Sequence, residues 1–308
     1  MEKVRGRVSP ELEEAFLQRL GLEAEPPSIE ALFRLHRRMV ERIPYETMWL
    51  HASEKWGVDP LEALTRIATQ GRGGYCFHLN GALAEVLESL GYEVSRHAGA
   101  VYGPDGPNAS SADNHVVITV SGLPCEENHA GAWYLDAGLG DALHEPLPLV
   151  ASDYVQAPFR LVLARTPSGN DGWNLDHDPA GGFVGMCWTD AEVEMVQFAP
   201  QHHWLSTSPD SPFTQVAMAE RRDATGVDVI RGLLIGRVGE RTTWSEPLRT
   251  RSEWISALAD GFGLRLEHSE PAAVDHLWNQ VLRAHRSWEG SGHHEDHRLD
   301  DDPPVAGA

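Results

Sequence analysis

The sharpest local signal in the 308-residue chain is Arg72-Gly73-Gly74-Tyr75-Cys76-Phe77. Two glycines free the backbone just ahead of an apolar, helix-like run, which places a cysteine at a helix N-terminus. Unpaired N–H groups and the positive end of the helix dipole stabilise a thiolate there. An ordinary thiol, with a pKa of about 8.5, is only a few per cent ionised at neutral pH. A thiol nucleophile also needs a base, and the base needs a group that orients it. His115 opens the strand-like HVVITV. Asp136 ends WYLD just before Ala137-Gly138-Leu139-Gly140, where backbone donors can fix a carboxylate that accepts from an imidazole. Each residue also has a plain structural reading: a helix-start cysteine packed in the core, and one satisfied histidine among 16. Cys187, between Met186 and Trp188, reads as core, and Cys125 follows a Gly-Leu-Pro turn with no base near it in sequence. Three cysteines make no disulfide framework.

The elements that must position these residues change in kind along the chain. Up to about residue 90 the pattern is helical. Ser9-Pro10 and Ser28 look like helix starts, Pro44 ends the second helix, a third runs from Pro60 to about Gln70, and a fourth runs from Cys76 towards a cap at Gly91. From Glu93 short β-rich runs take over: Val94–Tyr102, His115–Ser121, Trp133–Asp136, Arg160–Arg165, Val184–Trp188, Gln215–Arg221 and Ile230–Arg237. Amphipathic helices at Trp254–Phe262 and Ala272–Arg286 close the fold, which predicts an α+β protein. With 41% hydrophobic residues the chain is not disordered as a whole. It has no 18-residue apolar run and its N-terminus lacks a signal-type apolar core, so a cytoplasmic location is expected. The net charge of −21 argues against nucleic-acid and membrane-surface partners. Residues 289–308 hold six carboxylates against one arginine and read as a disordered acidic tail. Its His293, His294, Asp296 and His297 lack anything to fix their geometry, so no metal is expected.

Taken together, IPYETM (43–48), RGGYCFHLN (72–80), NHVVITV (114–120) and YLDAGLG (134–140) resemble the arylamine N-acetyltransferase family. That family carries IPFEN-type, RGGYC, histidine-headed strand and DVGFG motifs in the same order. LSTSPDSPFTQ (205–215) resembles the start of its third domain, and the likeness covers roughly residues 10–285. The resemblance implies a helical bundle (1–92), a β-barrel-like domain (93–204) and an α/β lid (205–288), with a cysteine-protease-like Cys76–His115–Asp136 triad between the first two. It implies ping-pong acyl transfer from a thioester, typically acetyl-CoA, through acyl-Cys76 to an arylamine, hydrazine or N-hydroxyarylamine, with no bound cofactor. Glu46 and Arg72 match a charged pair of the family that ties the first helices to the Gly73-Gly74-Tyr75-Cys76 loop. Tyr45, Gly138, Leu139 and Gly140 fall where substrate is bound.

The sequence departs from the family pattern at four of these positions. Tyr45 and Leu139 replace phenylalanines, Thr47 stands where asparagine is usual, and His78 where glutamate or glutamine is frequent. His78 lies two residues past Cys76 on a helix and points elsewhere, so it is not expected to act as the base. Loss of the aromatic ring at Leu139 widens the acyl pocket. With the unusual WNLDHDPAGGFVGM (173–186), this keeps open a second reading, an amide synthase that joins a polyketide-type, carrier-bound acyl thioester to an aromatic amine. A cysteine hydrolase with the same triad is a third.

Overall fold

Local chemistry explains where the first helices begin. The computed structural model describes residues 8–108, 111–166, 172–241, 243–266 and 270–290. Ser9, Ser28 and Asp59 accept backbone N–H bonds at the starts of α1 (Pro10–Leu20), α2 (Ile29–Arg42) and α4 (Pro60–Gln70). Between α2 and α4 lie a two-residue strand, β1 (Tyr45–Glu46), and a single helical turn, α3 (Met48–His51). The helix α5 (Cys76–Ser89) is buried on nearly every side and forms the centre of the largest apolar cluster. Its C-cap is Leu90, one position before the expected cap, and Gly91 follows at φ +94°. There Tyr92 N–H bonds to Leu87 O and Gly91 N–H to Glu88 O.

The middle of the chain forms β2 (Glu93–Tyr102), β3 (His115–Ser121), β4 (Trp133–Leu135), β5 (Leu147–Pro148), β6 (Ser152–Gln156), β7 (Phe159–Arg165), β8 (Gly172–Asp176) and β9 (Gly185–Glu192). They build one antiparallel sheet in the order β5-β4-β3-β2-β9-β8-β7-β6, which curls into a nearly closed barrel. A short 3-10 turn (Met195–Phe198) leads to α6 (Ala199–Thr207) and α7 (Pro212–Gln215). Then come β10 (Met218–Asp223), β11 (Gly226–Arg231), β12 (Leu234–Gly239), β13 (Thr243–Pro247), α8 (Arg251–Phe262) and α9 (Pro271–Gly290).

The second sheet runs β1-β10-β11-β12-β13, so a strand from the helical first part of the chain forms its edge, with Tyr45 opposite Glu220. The single strand expected over Ile230–Arg237 is instead a hairpin, because Gly232 adopts φ +58° and turns β11 back onto β12. α9 continues to Gly290, two residues into the expected tail. Residues 291–308, including His293, His294, Asp296 and His297, lie outside the described residues. Among the described residues no helix is long and apolar enough to cross a membrane.

Candidate active site

Cys76 is the first residue of α5, and its position depends on close backbone approaches. A Cβ on Gly73 would lie 2.0 Å from Pro44 O, and one on Gly138 would lie 2.6 Å from the Cα of Cys76. No side chain fits at either place, so the cysteine loop packs directly on the backbone at Pro44 and the Gly138 loop on the helix start. Cys76 Sγ lies 3.6 Å from Asn114 O. The residue at the third helical position, His78, performs the task that glutamate or glutamine performs in a capping box. Its Nδ1 accepts from Tyr75 N–H at 3.3 Å, while its Nε2 donates to Gly57 O at 3.1 Å. Burial and neighbouring Arg66 hold this imidazole well below its ordinary pKa, so it is neutral and pinned away from Cys76.

His115 heads β3 and Asp136 follows the end of β4, and pairing of these two strands brings them together. His115 Nε2 donates to Asp136 Oδ2 at 2.8 Å. That leaves Nδ1 for Cys76, which acts on the imidazole electrostatically. Burial acts to strip the imidazole of its proton, but the charges of Asp136 and Cys76 outweigh it and push the His115 pKa up to about 10. For Asp136 burial again opposes the charged form, and His115, Asn80 and the Gly138 N–H together hold its pKa below the usual carboxylate range.

The Asp136 carboxylate is fully engaged. Oδ1 accepts from Asn80 Nδ2 at 2.8 Å and Gly138 N–H at 2.9 Å, and Oδ2 also accepts from Tyr134 Oη at 2.9 Å. Sequence reasoning missed Asn80, which further donates to Val116 O and accepts from Ala137 N–H. Its spacing of four from Cys76, on one face of the helix, was the available signal. It also missed Tyr134 and His36. The His36 ring accepts from Asp136 N–H and donates to His144 O, and burial lowers its pKa to about 4.

Behind the cysteine loop, buried Arg72 donates through Nε to Glu46 Oε1 at 2.9 Å and through a second nitrogen to Glu54 at 3.3 Å. Glu46 Oε2 accepts from Met48 N–H, and Glu46 N–H donates to Gly74 O, so the pair ties β1 to the loop. Tyr75 donates to His202 Nδ1 and stacks on Trp49 and Phe213.

Cys76 and His115 open onto a pocket of about 50 Å³ that is also lined by Tyr45, Gly138, Leu139 and Phe213. The packing of Tyr45 edge-on to Phe213, with ring centroids 6.3 Å apart, shapes one wall. Gly140 lies just beyond, backed by Glu220. Through Asp141, Gly182, Phe183, Met218 and Glu220 this pocket shares its wall with a second cavity of about 700 Å³ between the 177–184 segment and the β10–β12 hairpins. The smaller space has room for an acetyl group but not an aromatic ring. Among the described residues no cluster of three or more His, Cys, Asp or Glu is arranged to hold a metal ion. A thiol, an imidazole held as imidazolium and a fixed carboxylate on the wall of one pocket can carry an acyl group on sulfur.

Comparisons with known proteins identify the relatives of the chain. The sequence model described as N-acetyltransferase matches residues 28–271. Arylamine N-acetyltransferase 1 of Oryctolagus cuniculus is 24% identical over 245 residues, covering 72% of this chain and 81% of the relative. Among solved structures, the Mycobacterium marinum arylamine N-acetyltransferase in complex with CoA superposes with a TM-score of 0.76 at 22% identity, covering 88% of this chain and 98% of that one. The Nocardia farcinica arylamine N-acetyltransferase gives 0.75 at 25% identity, with 88% and 95% covered. The chain belongs to the arylamine N-acetyltransferase family of acyltransferases.

Proposed function

We propose that the protein moves an acetyl group from acetyl-CoA, through acyl-Cys76, to the nitrogen of an arylamine or hydrazine or the oxygen of an N-hydroxyarylamine. The observation that carries this reading is the placement of Cys76 and of His115, fixed by Asp136 at 2.8 Å, on the wall of one pocket. In the first half-reaction the Cys76 thiolate attacks the thioester carbonyl. The bond from that carbonyl to the donor sulfur breaks, and the departing thiolate takes the proton held by His115. In the second, the amine attacks acyl-Cys76, its proton passes to His115, and Cys76 leaves as thiolate. Exchange of one thioester for another is nearly isoenergetic and thioester to amide is downhill. The site therefore needs a ready nucleophile and exclusion of water more than strong acid–base assistance. Glu46, Arg72, Gly73, Gly74 and Tyr75 act by holding the loop, while Tyr45, Gly138, Leu139 and Gly140 shape the acyl and amine sites.

One observation favours a second reading. The cavity of about 700 Å³ adjoining the site offers room for a long acyl chain delivered by a carrier protein, as an amide synthase requires. Intact-mass spectrometry separates the two. With acetyl-CoA, a mass gain of one acetyl group in place of one hydrogen, absent from Cys76→Ala, supports the first. Labelling only by a long acyl thioester mimic supports the second. No adduct with either removes both.

A further inference from the structure

Beyond the cysteine, the junction between the small pocket and the large cavity carries a carboxyl group that the acyl-transfer chemistry does not use. Glu220, on β10 directly opposite Tyr45, lines both spaces. Its Oε2 sits so close over Gly140 that a Cβ there would lie 1.8 Å away, which places the carboxyl against the loop that also holds Gly138 against Cys76. Among the described residues no donor bonds to it. Burial first, and then the charge of Asp141, push its pKa well above the usual carboxylate range, against a weaker opposing pull from Arg231. Asp141, by contrast, accepts from Gly182 N–H at 2.6 Å and faces His177 Nε2 at 3.5 Å. The His177 side chain is fully buried, and its Nε2 has no well-formed hydrogen bond. Phe183 and Met218 supply the apolar part of the wall that the two spaces share, and Val229 and Arg231 line the larger one beyond it.

Glu220 is half-buried, so a ligand seated against it displaces water from the carboxyl, and one that brings a donor keeps a hydrogen bond that an apolar group would forfeit. The pocket at Cys76 is too small for an aromatic ring, so the ring of an acceptor must extend into this junction.

We propose that Glu220 is a specificity-determining residue that accepts a hydrogen bond from a second donor group, a hydroxyl or amino group, on the acceptor amine, away from its reacting nitrogen. The preferred acceptors are then aminophenols and phenylenediamines rather than simple anilines. This rests on the acyl-transfer reading above.

The test compares kcat/KM for 4-aminophenol, 4-methoxyaniline and 4-methylaniline, and for the corresponding 3-substituted set, after pre-acylation by acetyl-CoA. Hydroxyl and methoxy groups donate electrons similarly, and methyl matches hydroxyl in size, so the contrast isolates the donor. We expect at least one hydroxyl isomer to exceed both of its partners by about tenfold or more. Glu220→Leu should bring the ratio near one, and Glu220→Gln, which keeps an acceptor oxygen, should retain a preference. A ratio within about twofold in the wild-type protein overturns the proposal, as does a preference that survives Glu220→Leu. Acyl-Cys76 formation, read by intact mass before any amine is added, reports separately on the underlying reading and on whether each variant is folded.

Discussion

Replacing Asp136 by asparagine changes one heavy atom and reverses the polarity of half of a saturated site. The two donors at Oδ1, Asn80 Nδ2 and Gly138 N–H, cannot become acceptors towards it, so the new amide must keep its oxygen on that side. Its NH2 group then faces His115 Nε2 and Tyr134 Oη. The tyrosine hydroxyl can rotate to accept, but Nε2 can accept only by giving up its proton. The neutral ring then carries its hydrogen on Nδ1, the nitrogen left for Cys76, and can no longer take the thiol proton. A His115 pKa raised from 6.5 to about 10 corresponds to on the order of 5 kcal/mol in favour of the imidazolium, shared between Asp136 and Cys76. Together with the wrong tautomer, its loss should slow acylation by roughly 10³- to 10⁴-fold. The assay is single-turnover release of free CoA from acetyl-CoA at pH 7, with intact mass reporting the acyl-enzyme. An acylation rate within about tenfold of wild type would refute the reasoning.

Three further outcomes follow from the same geometry. Arg72→Ala leaves Glu46, which is 0% exposed, without its cation, and should lower stability by about 3–5 kcal/mol in urea unfolding; a loss below about 1 kcal/mol would contradict a buried, geometry-setting pair. Gly138→Ala pushes a methyl group against the Cα of Cys76 and should cost about 1–3 kcal/mol while impairing acylation, measured by the same two assays; retention of both would mean the loops move apart freely. Because folding raises the His115 pKa above its unfolded value, the stability it contributes is fully present below about pH 6.5. It declines above that and is gone once the pH passes about 10. Thermal unfolding from pH 7 to 10.5 should therefore show wild type losing more than His115→Gln, and parallel curves would contradict this.

Much of the site was legible because its residues sit at element boundaries that the sequence marks. Gly73-Gly74 before a helix, a histidine heading a β-rich run and an aspartate before Gly138-Leu139-Gly140 are local signals, and the structure brings their side chains together. The starts of the first helices were equally legible through Ser9-Pro10, Ser28 and Pro60. What escaped depends on contacts distant in sequence. Tyr45–Glu46 becomes a strand only because Glu220 and Ala219 pair with it, some 175 residues further on. Gly232 signals a hairpin only once the partner strands are known. Asn80 and Tyr134 look like ordinary helix and strand residues until Asp136 lies between them. Glu220 looked like one more charge in an acidic chain, and only the shared wall of two cavities sets it apart.

The central claim is that the acyl group passes through Cys76, and a two-step single turnover tests it most directly. The protein is mixed with acetyl-CoA, freed of CoA by rapid gel filtration, located by peptide mass spectrometry and then mixed with an arylamine. The account predicts one acetyl group on Cys76 and its stoichiometric recovery as the N-acetylated amine. An acetyl group on another residue, or an acyl-Cys76 that amine does not discharge, would contradict it.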